Sequence, residues 1–397
     1  MAKFIDKYCK NYYICANKPC IMNHLESLMH YIWQYRLFPS EELVTMDGCK
    51  VEILGIGQHN LDQGPDFLNA RIRLDGLIWA GSVEMHIRSG DWLRHHHNTD
   101  PVFNTVILHV VSEHENGVEA RLENGRPLPE LVIHIPDELK EGYEGLVKIT
   151  DYPRCYSCIP NLDRLKVNSW LDALLIERMN DRWHRINHIL QLTGEDWNRT
   201  AFVMLARSMG AGLNSDPMEL WALNLIQTGS KSSKGSKSSK VTDSPQILAM
   251  FRHMRCRPSN YPERRIEQLT DLYKSNLCTM DDMLQVQCAE DLFRMFADAG
   301  IRKTTARMLI INACSPLLFA YGLHTDSQEL RDLAMDILSG LKGEDNYILR
   351  QWKACHLQVD TAADSQALIQ LKKQYCDHQR CLECRFGFEY LSTTARY

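Results

Sequence analysis

The chain has 397 residues, which is longer than one typical domain, so we expect two domains. Its composition, with 44% hydrophobic and 24% charged residues, is that of an ordinary globular protein. The formal net charge of -5 excludes a uniformly basic protein that coats nucleic acid. Any contact with DNA or RNA must therefore be confined to a local patch.

The sequence also bears on the cellular compartment. We find no apolar run as long as a membrane helix requires, and residues 1–21 lack the apolar core of a signal peptide. We therefore expect a cytoplasmic protein that makes no membrane contact. The 14 cysteines are scattered rather than set in a compact framework, which indicates reduced thiols with room for one metal site.

The first elements follow from apolar spacing. Residues 1–21 are expected to be an N-terminal extension, whose cysteines are interpreted as free thiols: Cys9, Cys15 and Cys20. Apolar side chains at helical spacing predict a helix over residues 22–37, which Pro39 ends. Residues 49–56 are predicted to form a strand. The polar loop after it brings His59 or Asp62 beside the next strand.

Two alternating segments predict a β-hairpin. They are residues 67–74 and 77–87, joined by the tight-turn sequence Asp75-Gly76. On the first strand, one face is expected to carry Leu68, Ala70, Ile72 and Leu74. On the second strand, Val83, Met85 and Ile87 face one way, whereas Glu84 and His86 face the other.

This hairpin contains a candidate metal site. Asp66 directly precedes it, so we expect Asp66, Glu84 and His86 to converge on one small volume. Hard cations prefer carboxylate oxygens, and an imidazole widens the choice to manganese, iron, nickel or zinc. A turn in the following segment would bring further side chains to the same strand ends: Asp91, His95, His96, His97 and Asp100. The alternative is an ordinary hairpin whose polar face is solvated.

The residues of the hairpin carry a resemblance. The order helix, strand, strand with Pro65-Asp66, strand with Glu84-x-His86, helix and strand resembles the restriction-endonuclease-like core, written PD-(D/E)xK. Asp66 matches its first acid and Glu84 its second, while His86 stands where that family most often has lysine. That lysine positions the attacking water and stabilises negative charge on phosphate. The resemblance thus leaves His86 as a metal ligand, a base, or the mark of a core that has lost activity.

The same resemblance gives Glu26, on the first helix, the place of an additional acid found in some nucleases; the alternative is a solvated helix position. A second resemblance covers most of the chain. The blocks GPDF, VEMH, SGDW and ILHVV are similar to those of a bacterial family known as domain of unknown function 2851.

The remaining pattern predicts the domain organisation. Further strands over residues 105–111, 119–122 and 131–135 would complete a mixed sheet flanked by helices, in a domain spanning 22–145. After a junction at 146–162, helical patterns continue over 163–397, interrupted by a flexible Gly/Ser/Lys-rich segment at 229–244. The expected fold class is thus an α/β (α+β) restriction-endonuclease-like N-terminal domain followed by an all-α C-terminal domain.

A second candidate metal site consists of cysteines. Cys381-x-x-Cys384 has the spacing with which two thiolates bind one ion, and Cys376 or His378 offers a third ligand. The pair Cys155-x-x-Cys158, in the junction, is the obvious donor of the remaining ligands, with Cys355 a second possibility. Zinc would make this site structural, and an iron–sulfur cluster is the less favoured choice. The alternative is a set of reduced, buried cysteines.

These observations predict a metal-dependent nuclease that hydrolyses phosphodiester bonds of DNA or RNA. Asp66 and Glu84 would hold magnesium or manganese, His86 would be a further ligand or would orient water, and His97 would assist nearby. One alternative is a non-catalytic nucleic-acid-binding or scaffold protein that retains the nuclease fold. Another is a metal hydrolase of a small substrate.

Overall fold

The computed structural model describes residues 24–38, 43–149, 153–210, 212–229, 245–253 and 261–394. The extension at 1–21, with its three cysteines, and residues 230–244 of the Gly/Ser/Lys-rich segment lie outside the described residues. The chain forms two compact units. Unit 1 runs up to Cys158 and includes the segment that begins at Gln379, and unit 2 is Ile159–His378. The final segment therefore belongs with the N-terminal unit, whereas the sequence had assigned it to the helical domain.

Unit 1 is built on one mixed sheet. Its strands are β1 (Val51–Gly55), β2 (Gln58–His59), β3 (Phe67–Leu74), β4 (Leu77–Arg88), β5 (Val106–Glu113) and β6 (Glu130–Val132). They lie in the order β1-β3-β4-β5-β6, and β2 pairs with β3. The β1–β3 and β3–β4 pairs are antiparallel, whereas β4–β5 and β5–β6 are parallel. The predicted mixed α/β architecture is confirmed at this level.

The helices of unit 1 are α1 (His24–Gln34), α2 (Asp91–Arg94) and α3 (Asp137–Lys148), together with a C-terminal helix, Arg385–Thr394. Helix α1 packs its apolar face onto the sheet. This main core contains residues from α1, the central strands and the C-terminal helix, among them Leu28, Ile32, Trp33, Phe67, Ile72, Met85, Val110 and Leu391. A second cluster consists of Trp92, Phe103, Val106, Ala120, Leu122 and Leu128.

Strand β3 departs from the predicted alternation. Its core residues are Phe67, Ala70 and Ile72, rather than a set that includes Leu68. The reason is a bulge: the β3–β4 register shifts between Phe67 and Ala70, where Asn69 has a φ of 58°. A bulge inserts one unpaired residue and reverses which side chains face the core. It separates the start of β3 from the regular ladder that follows.

Of the other local predictions, the hairpin turn is confirmed, whereas two of the later strands differ from the structure. Asp75 and Gly76 have φ values of 45° and 84°, as the predicted two-residue hairpin turn requires. The strand expected over 119–122 is replaced by an isolated bridge between Arg121 and Pro127. His134, expected in an apolar strand, lies beyond the end of β6 and is exposed.

Unit 2 is helical, as predicted. Its helices are α4 (Arg164–Leu192), α5 (Trp197–Met209), α6 (Ser215–Gly229), α7 (Pro245–Leu248), α8 (Pro262–Ser275), α9 (Met280–Met283), α10 (Ala289–Asp298), α11 (Lys303–Leu309), α12 (Ser315–His324), α13 (Gln328–Gly340), α14 (Tyr347–Ala354) and α15 (Ala362–Gln370). Within the described residues, Lys303–His324 is the one segment long and apolar enough to span a membrane, with a mean hydropathy of 1.4. This differs from the expectation of no such segment. Because 72% of its apolar window is buried, it has the character of a core helix.

Candidate metal centre

Asp66 and Glu84 are held together by backbone hydrogen bonds. The β3–β4 register pairs Phe67 with Val83, so Asp66 lies beside Glu84 at the start of β3. The backbone N–H of Asp66 donates to Oε2 of Glu84 at 3.1 Å. In return, the backbone N–H of Met85 donates to Oδ2 of Asp66 at 2.8 Å. The two carboxylates are therefore fixed relative to each other by main-chain donors rather than by flexible side chains.

Helix α1 adds Glu26 and His30 to this pair. The two residues are four positions apart, so they lie on one face of the helix. Nε2 of His30 is 3.2 Å from Oδ2 of Asp66, and the His30 side chain is only 8% exposed. Among the described residues, neither ring nitrogen of His30 has a hydrogen-bond partner, since the approach to Asp66 lacks hydrogen-bond geometry. An imidazole buried in this way has a nitrogen available to a ligand.

Two of these carboxylates, Glu26 and Glu84, have raised pKa values. Burial, followed by the charge of Asp66, raises the pKa of Glu26 to about 7. Burial also raises the pKa of Glu84 well above its usual range, with the charges of Asp66 and Glu26 adding to the effect. Like charges that share a low-dielectric volume must take up protons or a cation. We therefore call Glu26, Asp66 and Glu84 the carboxylate cluster.

A histidine cluster adjoins it. His86, His95 and His97 each offer a ligand atom, and these three atoms lie within 4.8 Å of one another. Nε2 of His86 is 3.1 Å from Nδ1 of His95 and 3.7 Å from Oε1 of Glu84. Nε2 of His97 is 3.2 Å from the same Glu84 oxygen. Glu84 thus lies between the two clusters.

The segment after β4 places these imidazoles. Asp91 stabilises its start by accepting a hydrogen bond from the backbone N–H of Arg88 at 2.9 Å. His96 then adopts a left-handed φ of 63°, which redirects the chain between His95 and His97. The ring centroid of His97 lies 3.8 Å from that of Phe103, so the second apolar cluster supports it. Asp100 serves here as a capping residue, since its side chain accepts from the backbone N–H of Val102, whereas Asp91 lies in the first turn of α2.

A buried chain of side chains lies behind His86. Its Nδ1 is 2.9 Å from Nε2 of His109, whose Nδ1 is 3.2 Å from Oε2 of Glu130. The other Glu130 oxygen is 2.6 Å from Nδ1 of His114 and accepts from Ser89 Oγ at 2.8 Å. The parallel register aligns Glu84, His109 and Glu130 across β4, β5 and β6. The row places His109 on the middle strand, where its ring lies close to both His86 and Glu130.

The histidines near Glu84 are neutral, whereas Glu130, behind His109, is charged. Burial lowers the pKa of His86 well below its usual range, with His109 and His97 reinforcing the effect. Burial, followed by His95, lowers the pKa of His97 to about 4. Burial would raise the pKa of Glu130, but hydrogen bonds from its histidine and serine neighbours outweigh it and lower that pKa. Both histidines are therefore neutral near pH 7 and available as ligands, while Glu130 is ionised.

The sequence missed several of these groups. His109 lies within the strand predicted over 105–111, and its ring approaches side chains that sequence spacing does not indicate. Glu130 and His30 were not singled out at all. The available signal was a polar residue within an apolar run, such as His109 in a strand whose neighbours are all buried. Glu84 and His86 are buried, so the interpretation of a solvated polar face is wrong.

The cysteines form a separate group. Cys155, Cys158, Cys381 and Cys384 belong to unit 1, whereas Cys376 belongs to unit 2. The thiol of Cys158 lies 3.7 Å from the backbone oxygen of Phe386, two residues beyond Cys384. Among the described residues, the donor groups close enough to share an ion include no cysteine. The zinc or iron–sulfur site therefore stays a prediction.

The comparisons with known proteins give the family. The chain belongs to the family described as Protein of unknown function (DUF2851), whose model matches residues 26–241. That range contains the carboxylate cluster, the histidine cluster and the chain from His109 to Glu130. Neither a curated protein nor a solved structure matches the chain.

Proposed function

We propose that this protein is a metal-dependent phosphodiesterase that cleaves DNA or RNA at the carboxylate cluster. The observation that carries the proposal is the pair of hydrogen bonds that joins Asp66 to β4 and Glu84 to the start of β3. These bonds fix two carboxylates where strands β3 and β4 meet. The order of one helix, antiparallel strands and a following parallel strand supports a likeness to the PD-(D/E)xK core.

The donor set fits a hard divalent cation. Asp66 and Glu84 offer carboxylate oxygens, and Glu26 adds a third acid, whose pKa is raised by burial and then by the charge of Asp66. Magnesium or manganese prefers such oxygens. Held there, the ion would supply Lewis-acid stabilisation of charge on the phosphate. His30, with no hydrogen-bond partner among the described residues, offers a nitrogen beside Asp66.

His86 has a different role from the lysine of the nuclease family. Its imidazole is 1% exposed and its pKa is lowered, so it carries no positive charge with which to stabilise phosphate. It instead presents a nitrogen 3.7 Å from Glu84. His97 presents its Nε2 3.2 Å from the same carboxylate, without a hydrogen bond between them. In this reaction both residues would face Glu84 rather than the phosphate.

The test is cleavage of labelled single- and double-stranded DNA and RNA by the pure full-length protein with magnesium or manganese. We expect Asp66→Asn and Glu84→Gln to abolish cleavage that the wild type performs and a chelator stops. Glu52→Gln is the matched control, because Glu52 is an exposed carboxylate on β1 and the substitution removes the same charge. Cleavage that survives in Asp66→Asn, or no cleavage of any nucleic acid by the wild type, would contradict the proposal and favour the scaffold alternative.

One observation favours a second candidate, the hydrolase of a small substrate. The side chains of Glu84 and His86 are only 7% and 1% exposed, which suits a narrow site better than a duplex. A small chromogenic phosphodiester distinguishes the two candidates. Metal-dependent hydrolysis of that compound without cleavage of nucleic acid would favour the small-substrate enzyme.

A further inference from the structure

We propose that His86, His95 and His97 form a second metal site, which is selective for a zinc-class ion and adjoins the carboxylate cluster at Glu84. The three donor atoms lie within 4.8 Å of one another, and Nε2 of His86 is 3.1 Å from Nδ1 of His95. Tetrahedral zinc with nitrogen at 2.0–2.1 Å separates neighbouring nitrogens by about 3.3 Å. The His86–His95 separation therefore suits two ligands of one ion.

The proton positions in the buried chain favour a ligand role for His86. The Glu130 carboxylate lies 3.2 Å from Nδ1 of His109 without hydrogen-bond geometry, and its negative charge favours the His109 tautomer with the proton on that nitrogen. Nε2 of His109 then carries a lone pair and accepts from Nδ1–H of His86 at 2.9 Å. The remaining His86 nitrogen, Nε2, is thereby left with its lone pair directed at His95. A carboxylate behind a histidine is the usual arrangement that orients a metal ligand.

Without an ion, Nε2 of His86 accepts a hydrogen bond from Nδ1 of His95 at 3.1 Å, and a carboxylate and a second imidazole lie close to the same nitrogen. Oε1 of Glu84 lies 3.7 Å away and also 3.2 Å from Nε2 of His97. Among the described residues, that buried His97 nitrogen has no hydrogen-bond partner. Two imidazole nitrogens and a carboxylate oxygen thus face one volume, where a cation would satisfy all of them.

The ligand type sets the selectivity. Imidazole nitrogens suit zinc, nickel, cobalt and copper, whereas magnesium prefers oxygen ligands. His95 is exposed, so the ion would be reached from solvent on that side. Glu84 lies within reach of both sites and would serve as the fourth ligand. This site does not depend on nucleic-acid cleavage, and it stands even if the carboxylate cluster binds no magnesium.

The test is titration of the chelator-treated full-length protein with cobalt, followed by visible absorption, and with zinc, followed by calorimetry. We expect wild-type protein to bind cobalt with d–d bands, and His95→Ala to weaken binding of both ions at least tenfold. His95→Ala changes an exposed side chain, so it leaves the fold intact. His134→Ala, another exposed histidine in unit 1, is the control and should bind like the wild type.

The cysteines are the competing ligands in this experiment. The variant Cys381→Ser, Cys384→Ser should retain the histidine-dependent cobalt bands and lose only thiolate charge-transfer absorption in the near ultraviolet. Unchanged binding by His95→Ala would overturn the proposal. So would loss of all cobalt bands in the double cysteine variant while His95→Ala keeps them.

Discussion

The backbone N–H of Asp66 donates to the Glu84 carboxylate at 3.1 Å, so the residue directly before β3 fixes the acid on β4. A main-chain donor cannot swing away as a side chain can. The site is thus organised before any ligand binds, which is the condition for efficient electrostatic stabilisation. The arrangement stores unfavourable energy, because it holds a buried carboxylate close to Asp66 and Glu26.

Glu84→Gln should therefore stabilise the protein while it abolishes the proposed activity. The amide oxygen of glutamine can still accept from Asp66, but the buried negative charge is gone. We expect the free energy of unfolding at pH 8, in chelator, to rise by on the order of 1 kcal/mol. Urea unfolding measures it, with Glu52→Gln expected to change stability by less than about 0.5 kcal/mol. If Glu84→Gln is less stable than the wild type, neighbouring groups already compensate the negative charge of Glu84.

Glu84→Ala makes the complementary prediction. It removes the charge and also the acceptor of the Asp66 N–H. A buried donor without a partner costs roughly 1–3 kcal/mol, so this variant should be less stable than Glu84→Gln by that amount. Equal stability of the two variants would indicate that solvent reaches Asp66.

Glu26 should make stability depend on pH. Its pKa in the folded protein is about 7, compared with a usual value of 4.5. The folded state therefore binds the proton more tightly, so this contribution is fully present below about pH 4.5 and is lost as the pH rises through 7. Glu26→Gln should flatten the curve in that window, with a gain of about 1 kcal/mol at pH 8 after allowance for solvent screening of this partly exposed side chain.

Magnesium or manganese supplies the control for Glu26. If the ion binds the carboxylate cluster, it should reverse the loss of stability of the wild type above pH 7 and leave Glu26→Gln less affected. Thermal unfolding between pH 5 and 8, with and without the ion, measures both effects. If the wild type and Glu26→Gln show the same dependence of stability on pH, ionisation of Glu26 does not destabilise the folded protein.

The sequence predicted the hairpin well because its determinants are local. Asp75-Gly76 adopts the left-handed conformations that its turn needs, and the limits of β3 were predicted to the residue. The burial of Glu84 and His86 was not predictable, because it depends on the α2 region and on β5, which pair with or cover β4 through distant contacts. The bulge at Asn69 was missed because the alternating pattern around it outweighs the weak signal of a single asparagine, a residue enriched at positive φ.

The His86–His109–Glu130 chain shows the same limit more sharply. Its three members come from three strands, and the parallel register places His109 and Glu130 in one row with Glu84, two residues before His86 on β4. Sequence spacing cannot give that register. The return of the chain from Gln379 to unit 1 was equally hidden, because the last helix has the same amphipathic pattern as the helices of unit 2.

Asn69 should tolerate glycine but not a β-branched residue. Its φ of 58° lies in the left-handed region, which glycine adopts freely and valine does not. We expect Asn69→Gly to be within about 0.5 kcal/mol of the wild type and Asn69→Val to lose roughly 1–3 kcal/mol. Urea unfolding measures the change in the free energy of unfolding for both variants. Equal stability of the two variants would mean that the bulge moves to another position.

The cysteines of unit 1 should bind one further zinc per chain. Cys158 lies against the backbone at Phe386, two residues beyond Cys384, so the junction and the final segment meet there. Elemental analysis should show that purified Cys384→Ser contains about one zinc per chain less than the wild type. Thermal unfolding should show a lower melting temperature for this variant. His95→Ala should lose a different zinc without that drop in melting temperature. Iron with visible absorption would indicate a cluster, and unchanged metal content and melting temperature in Cys384→Ser would leave these cysteines as core residues.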